Sequence, residues 1–390
     1  MNNKPRFISL NEFLRIFTKL DFAKIQFNDF VRTATVKIGD RQIPLKQYAK
    51  EKQISVADLR TLYKHIVQKN EYLTRFYETS MDPILTAGLN ADPLSIHHEN
   101  PMKIKEMNNN QLVKYKNPIR NMHYRAILET TQSGFENNPS FLRVLKDLYN
   151  HLIIDYKILT PSGIFYMNTG RLGSVFSSYY FRASIMNPYL VYSLNRTVLK
   201  GTRIFTPTLG WTSYAYGFLE CPDVKEYVGC DVIPSVCTKT QEFIQYRYPH
   251  IVSKIFCQPS ENLANSRPFL AKYKSHFDVV FFSPPYYELE MYPGKDQSTA
   301  QYKTYDEWLD QYWRQTMGLC HHVLKPGGIL CYILSGYGKN NEYDLVKDMN
   351  AIAKEQTFRL KRIENMYNKN VYVTADFHRD TNEKIMFFVK

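Results

Sequence analysis

The chain has 390 residues, 44% of them hydrophobic, and a formal net charge of +13. That size holds one large folded domain plus a second, and no apolar run is long enough to cross a membrane as a helix. Six cysteines without paired spacing exclude a disulfide framework and a cysteine zinc site, so reduced thiols in a cytosol-like compartment are expected.

The charge is unevenly placed. Residues 1–200 hold 28 Lys and Arg against 16 Asp and Glu, whereas residues 201–390 hold 22 against 21. A basic half joined to a nearly neutral half suits a polyanion-gripping module attached to a catalytic one. The alternative is a lysine-rich surface that is merely well solvated. The first seven residues are polar and no apolar core follows, so no secretory signal is expected.

Residues 1–160 read as a mainly helical accessory region. Leu10–Leu14, Ala57–Tyr63 and Phe141–Tyr149 carry apolar residues at helical spacing, the last entered through Asn138-Pro139-Ser140 as a cap. Thr33–Ile38 and Gln42–Leu45 around Gly39-Asp40 predict a short hairpin. Residues 80–118 are rich in Asn, Pro and His and read as a long connection. Basic and aromatic residues interleave at Tyr63–His65, Tyr72–Tyr77 and Tyr179–Arg182, a composition that can stack bases and neutralise phosphates, although most of these rings are expected in the core.

Residues 161–390 read as a second unit, and from about 200 strands alternate with helices. The predicted strands are Thr202–Phe205, Glu226–Cys230, Val252–Phe256, Asp278–Phe282 and Ile329–Leu334, then a terminal pair at Phe358–Met366 and Lys384–Val389. A helix over Tyr305–Leu324 is expected to stop at Lys325-Pro326-Gly327-Gly328, and another lies near 342–356. The pattern predicts an α/β fold with a doubly wound, mostly parallel, seven-stranded Rossmann-like sheet behind a mainly helical N-terminal domain.

The most informative stretch is Ser283-Pro284-Pro285-Tyr286, directly after the apolar run Phe277–Phe282. Open α/β sheets bind ligands at the carboxyl ends of their strands, where this turn lies. Two prolines fix the backbone and remove two N–H donors, so their carbonyls are free to accept. A hydroxyl, a proline carbonyl and a flat ring on one rigid turn suit a planar amino group and the ring that carries it. A strand that simply ends at proline beside a structural tyrosine is the alternative.

This turn resembles motif IV of the amino-group methyltransferases, the S-adenosylmethionine-dependent enzymes that methylate exocyclic nitrogens of adenine or cytosine. Phe277 to Tyr292, with Glu288 and Glu290, is similar to DNA methylases of phages and large DNA viruses. The resemblance implies that Ser283 and the Pro284 carbonyl hold the target amino group, with Pro285 keeping the turn rigid and Tyr286 stacking on a flipped base. Gly210-Trp211 resembles the glycine–tryptophan turn of motif I. The chain departs from that family at Thr206, where an acidic residue is usual, and at Thr212-Ser213-Tyr214.

Thr206, Gly210, Trp211, Asp231, Gln258 and Glu261 are the expected cofactor contacts. Asp231 ends the second strand, where a carboxylate can accept both ribose hydroxyls. Gln258 and Glu261 lie where the resemblance puts the cofactor's adenine. Phe181–Tyr189 looks like the segment that closes over the methionine end.

The expected cofactor is S-adenosylmethionine, and no metal is expected. The expected partner is nucleic acid, DNA before RNA, with no membrane, and the expected location is the cytoplasm (host cytoplasm or virion for a viral protein). Cytosine N4 or RNA remains an alternative substrate. A catalytically silent fold that only binds nucleic acid is the rival class. The absence of a GxGxxG fingerprint argues against a nicotinamide enzyme.

Overall fold

The computed structural model describes residues 6–83, 88–96, 106–134, 138–337, 342–368 and 383–390. The N-terminal part is helical where apolar spacing and caps agree. Leu10–Arg15 starts at a capping box, Ser9 with Glu12, and Val56–Val67 starts at Ser55, whose side chain accepts from the Asp58 N–H. Phe141–His151 buries Phe141, Leu142, Val144, Leu145, Leu148 and Tyr149 along one stripe.

Strands β1 (Thr35–Ile38) and β2 (Arg41–Pro44) form the expected hairpin. The short β3 (Gln132–Ser133) follows later, and β4 (Ile153–Asp155) adds to β1 in parallel. The rings of Tyr72–Tyr77 fall on the core side of the two expectations. Phe76 and Tyr77 are buried in the core, and Tyr72 lies against Tyr149 and Phe176. Large aromatics repay burial more than exposure, so these rings are packing and not a base-stacking surface.

The main sheet comprises β5 (Arg203–Thr206), β6 (Glu226–Asp231), β7 (Val252–Cys257), β8 (Phe277–Phe282), β10 (Leu324–Leu334), β11 (Arg359–Asn365) and β12 (Lys384–Val389), with a two-residue β9 (Glu290–Met291) outside it. Its order is β11-β12-β10-β8-β5-β6-β7, and only β12 runs antiparallel. This is the expected seven-stranded, mostly parallel, Rossmann-like sheet. Winding reverses between β5 and β8, so the loops leaving these neighbours diverge and open a crevice.

β8 is buried on both faces except at Asp278, as a central parallel strand is. The Asp278 carboxylate straps the opposite end of the sheet. It accepts from the Thr202 and Arg203 N–H groups at 2.9 Å and pairs with the Lys325 ammonium. Partial burial alone would raise this carboxyl, but the ammonium and the N–H donors overcome it and bring it to about 2.

One boundary differs from expectation. The helix ends at Val323, and Leu324 already pairs with Phe277. Lys325–Gly328 is then a bulge inside β10, beyond which Ile329 resumes pairing with Val279. The apolar core is continuous from Ile8 to Phe388.

Candidate active site

A cavity of about 490 Å³ opens at the carboxyl ends of β5, β6, β7 and β8, in the size range of small-molecule sites. Ser283, Pro284, Pro285, Tyr286, Gly210, Trp211, Asp231, Gln258 and Glu261 all line it.

Thr206 does not. It is fully buried, and its hydroxyl lies 2.7 Å from the Tyr227 hydroxyl. Assigning it to the cofactor is therefore corrected. As the last residue of β5 its side chain packs within the sheet layer, and the turn residues Pro207 and Thr208 reach the cavity instead.

The turn after β5 is conformationally costly. Gly210, Trp211 and Thr212 have φ of 51°, 59° and 75° in succession. Each non-glycine in this left-handed region costs about 1–2 kcal/mol, so the surroundings must hold it. The Trp211 indole N–H donates to the Ser184 carbonyl at 3.1 Å. The Thr212 hydroxyl lies 2.6 Å from Thr240 Oγ1 and 2.9 Å from His123 Nε2. A Cβ on Gly210 would sit 2.3 Å from the Tyr214 ring, so glycine here serves both the dihedral and the ring. Tyr214 in turn accepts from the Ser283 N–H at 3.0 Å, tying the β5 turn to the β8 turn.

His123 is 2% exposed, and burial, aided by the Lys239 charge, pulls its imidazole down to about 3. Its folded value lies below the unfolded 6.5, so its contribution is complete above about pH 6.5 and is lost as pH falls toward about 3. Between pH 7 and 5 the wild type is expected to lose about 2 kcal/mol more stability than His123→Gln. Urea titrations at the two pH values measure this; parallel losses would show that His123 does not charge on unfolding.

The Asp231 carboxylate accepts from the Leu209 and Ile233 N–H groups, each at 3.1 Å, through different oxygens. Burial raises its pKa and these donors oppose that. Its remaining lone pairs are available to hydroxyls in the cavity. Beyond it, Glu261 is 6% exposed and raised by burial, with Tyr302 donating to it at 3.3 Å. Tyr312 lines the cavity, and among the described residues its buried hydroxyl has no hydrogen-bond partner. A buried orphan hydroxyl facing a cavity marks the place of a polar ligand atom. Tyr312 lies in a π-helical stretch, Trp308–Arg314, within the helix that precedes β10, a distortion that recurs at functional sites.

At the β8 turn the Ser283 hydroxyl donates to the Ile333 carbonyl at 3.0 Å. Its proton is thereby committed, and its oxygen can only accept from a ligand. No hydrogen bond among the described residues ends on the Pro284 carbonyl. Tyr286 accepts from the Ser335 N–H at 2.8 Å and stacks on Tyr337, with centroids 5.5 Å apart and planes at 21°. After the turn, Glu290 accepts from the Ser184 N–H at 2.9 Å and from the Tyr292 hydroxyl at 2.6 Å. β9 also pairs with β3, and a Cβ on Gly134 would lie 1.6 Å from the Glu288 carbonyl oxygen.

Sequence reasoning missed Tyr214, Tyr312, Asn109 and Asn110 as lining residues. The two asparagines lie in the stretch read as a connection, whose residues 84–87 and 97–105 fall outside the described ones. Asn109 Oδ1 accepts from the Asn187 N–H at 2.6 Å. The Phe181–Tyr189 segment supplies Ser184, Ile185 and Met186 to the wall. Among the described residues Asp231, Glu261, Glu290, Asp296 and Glu383 line the cavity and no Lys or Arg does, which favours a cationic ligand over a polyphosphate.

The fold is a Rossmann-like α/β sheet with a cavity at the point where its winding reverses. Residues 277–390 match the family described as DNA methylase, so the resemblance carried by the Ser283–Tyr286 turn is borne out over that segment. The phage or viral character is not part of what matches. No curated protein matches the chain.

Among solved structures it is similar to TrmN from Thermus thermophilus, at 14% identity over 52% of this chain and 48% of that one, TM-score 0.33. It is also similar to N-methyltransferase NodS from Bradyrhizobium japonicum WM9 in complex with S-adenosyl-l-homocysteine, at 14% identity over 52% and 83%, TM-score 0.33. The cyclase SpnF matches at 13% identity over 53% and 83%, TM-score 0.36. The chain thus spans about half the length of the TrmN structure. Among the described residues no His, Cys, Asp and Glu cluster could hold a metal ion, and no helix is long and apolar enough to cross a membrane.

Proposed function

We propose that this chain transfers the methyl group of S-adenosylmethionine to an exocyclic amino nitrogen of a nucleobase, adenine N6 in DNA being the first choice. The observation that carries the reading is one acidic cavity with two chemically distinct ends. One end presents Asp231, Glu261 and the orphan Tyr312 hydroxyl; the other presents the Ser283 oxygen, the Pro284 carbonyl and the Tyr286 ring.

The cofactor, when bound, supplies an activated methyl on a sulfonium leaving group. In this reading Asp231 accepts from the ribose hydroxyls, and Gln258 and Glu261 serve the adenine; all three line the cavity. The carboxylates of the wall favour the sulfonium and ammonium charges. Ser283 Oγ and the Pro284 carbonyl accept the two amino hydrogens of the target, which draws the nitrogen toward tetrahedral geometry and frees its lone pair. Tyr286, backed by Tyr337, gives the base a face to stack on, offsetting part of the cost of leaving the duplex stack. No strong base is needed before attack, because the proton leaves a product that is already cationic. In this reading residues 1–160 hold nucleic acid and 161–390 form the methyltransferase domain.

Calorimetry with S-adenosylmethionine, followed by radiolabelled transfer to DNA and to RNA with nucleoside analysis of the product, tests the proposal. Saturable binding and label on N6-methyladenine are expected. Label on cytosine N4 or in RNA alone would change the substrate and leave the chemistry. Absence of binding and transfer with both nucleic acids present would overturn it in favour of a silent nucleic-acid-binding fold, the reading that the buried Thr206 favours.

A further inference from the structure

Tyr214 stands where the two ends of the cavity meet. It lies in the first turn of the helix Ser213–Leu219, just beyond the left-handed β5 turn, and is 2% exposed. Its ring packs edge-on against Phe281 of β8, with centroids 5.1 Å apart and planes at 90°. A Cβ on Gly210 would meet the hydroxyl end of that ring first, at the carbon that bears the oxygen. The Gly210 turn therefore rests on the phenol, and in a close-packed interior a shift of one is passed to the other.

The hydroxyl serves the other turn. It accepts from the Ser283 N–H at 3.0 Å and donates to the Ser283 carbonyl at 3.4 Å. The Thr208 hydroxyl, also from the β5 turn, donates to the same carbonyl at 3.4 Å. Burial pushes the Tyr214 phenol up to about 12, so its proton stays in place to be donated. Pro284 and Pro285 have no N–H, which leaves the Ser283 N–H as the sole main-chain donor between Phe282 and Tyr286. Among the described residues every hydrogen bond of the Ser283 main chain runs to the β5 side. The two contacts at 3.4 Å lie at the outer edge of hydrogen bonding, so this half of the link has room to tighten.

A second bridge joins the same two loops at the rim. The Ser184 carbonyl accepts from the Trp211 indole N–H, and the Ser184 N–H donates to Glu290. That bridge holds the chain beyond Tyr286 and leaves the placing of Ser283 to Tyr214.

We infer that Tyr214 is a positioning residue that couples the two ends of the cavity: cofactor seated on the Gly210 turn sets the Ser283 main chain, and with it the Ser283 oxygen and the Pro284 carbonyl that receive the target. The inference rests on the cofactor and target ends proposed above. The phenol touches neither reacting atom. It makes the target turn firm when the cofactor end is filled, and by reciprocity a base in the target end tightens the cofactor by the same factor.

The test is hydrogen exchange of the full chain, with and without saturating S-adenosylhomocysteine, read by mass spectrometry over residues 280–290 in wild type, Tyr214→Phe and Tyr214→Leu. Calorimetry with S-adenosylhomocysteine and single-turnover transfer to the nucleic acid that the wild type methylates accompany it. In the wild type S-adenosylhomocysteine should slow exchange in this stretch by about tenfold. In Tyr214→Phe the slowing should fall below about twofold and the transfer rate should drop about tenfold or more, with S-adenosylhomocysteine affinity within about threefold of wild type.

A phenyl ring keeps the packing against Gly210 and Phe281. If Tyr214 served only as filling, Tyr214→Phe would match wild type and Tyr214→Leu alone would fail, and that result overturns the inference. So does a wild type that binds S-adenosylhomocysteine with no change of exchange in this stretch. If Tyr214→Phe fails to fold, Thr208→Val removes the other donor to the Ser283 carbonyl and should show the same losses in smaller measure; wild-type slowing and rate in that variant overturn the inference equally. The two proposals fail separately. A wild type that takes up no S-adenosylhomocysteine sinks methyl transfer itself, whereas uptake and transfer with the slowing intact in Tyr214→Phe sinks the coupling alone.

Discussion

Tyr286→Ala is expected to cut methyl transfer by about a hundredfold or more, while S-adenosylmethionine binds within about a factor of two of wild type. The ring is fixed at two points, its hydroxyl accepting from the Ser335 N–H and its face stacked on Tyr337. Removing it deletes the stacking face, worth about 1–3 kcal/mol per base. It also frees the β8 turn that carries Ser283 and the Pro284 carbonyl, and small misplacements of a reacting group are expensive. Tyr286→Phe keeps the face and loses only the anchor, so a smaller loss of about tenfold is expected. Single-turnover transfer rates with calorimetry on each variant make the measurement. Near-normal transfer by Tyr286→Ala would remove Tyr286 from the target site.

Asp231→Ala is expected to weaken S-adenosylmethionine by about a hundredfold or more, since hydrogen bonds to a charged group are worth about 1.5–3 kcal/mol each. The residue does two things at once. It offers lone pairs to the cavity, and it holds the Leu209 and Ile233 N–H groups, which join the β5 turn to the β6 turn. Asp231→Asn is therefore no silent isostere: both carboxylate oxygens already face N–H donors, so an amide must turn its own N–H₂ toward one of them.

Because burial raises the Asp231 carboxyl, cofactor affinity should start to fall in acid above the ordinary carboxylate range, and the fall should be absent in Asp231→Ala. Calorimetry at several pH values reads both effects. Wild-type affinity in the alanine variant would place the ribose elsewhere.

Most strands of the main sheet were legible because they are short apolar or β-branched runs between turn residues, the charged β11 being the exception, and strand–helix alternation leaves few ways to wind a sheet. The β8 turn was legible because proline chemistry is local: two rings set the backbone wherever they occur. That Asp231 and Gly210 would lie beside the cavity followed from chain order, since a strand's carboxyl end falls at a fixed place in such a sheet.

Other features belong to tertiary structure alone. Thr206 has a side chain suited to a ligand, and only its bond with Tyr227 shows that it serves the sheet. The left-handed Trp211 and Thr212 have no local signature and exist because Ser184, His123 and Thr240 hold them. Tyr312 reaches the cavity from a helix about a hundred residues beyond Gly210, and Asn109 from an irregular stretch about as far before it. Gathering them depends on contacts between segments far apart in the chain, and periodicity reports only neighbours. The sequence by itself determined the strands of the sheet and the rigid Ser283–Tyr286 turn at the end of one of them. Packing decided which polar groups face the cavity and which were consumed holding it open.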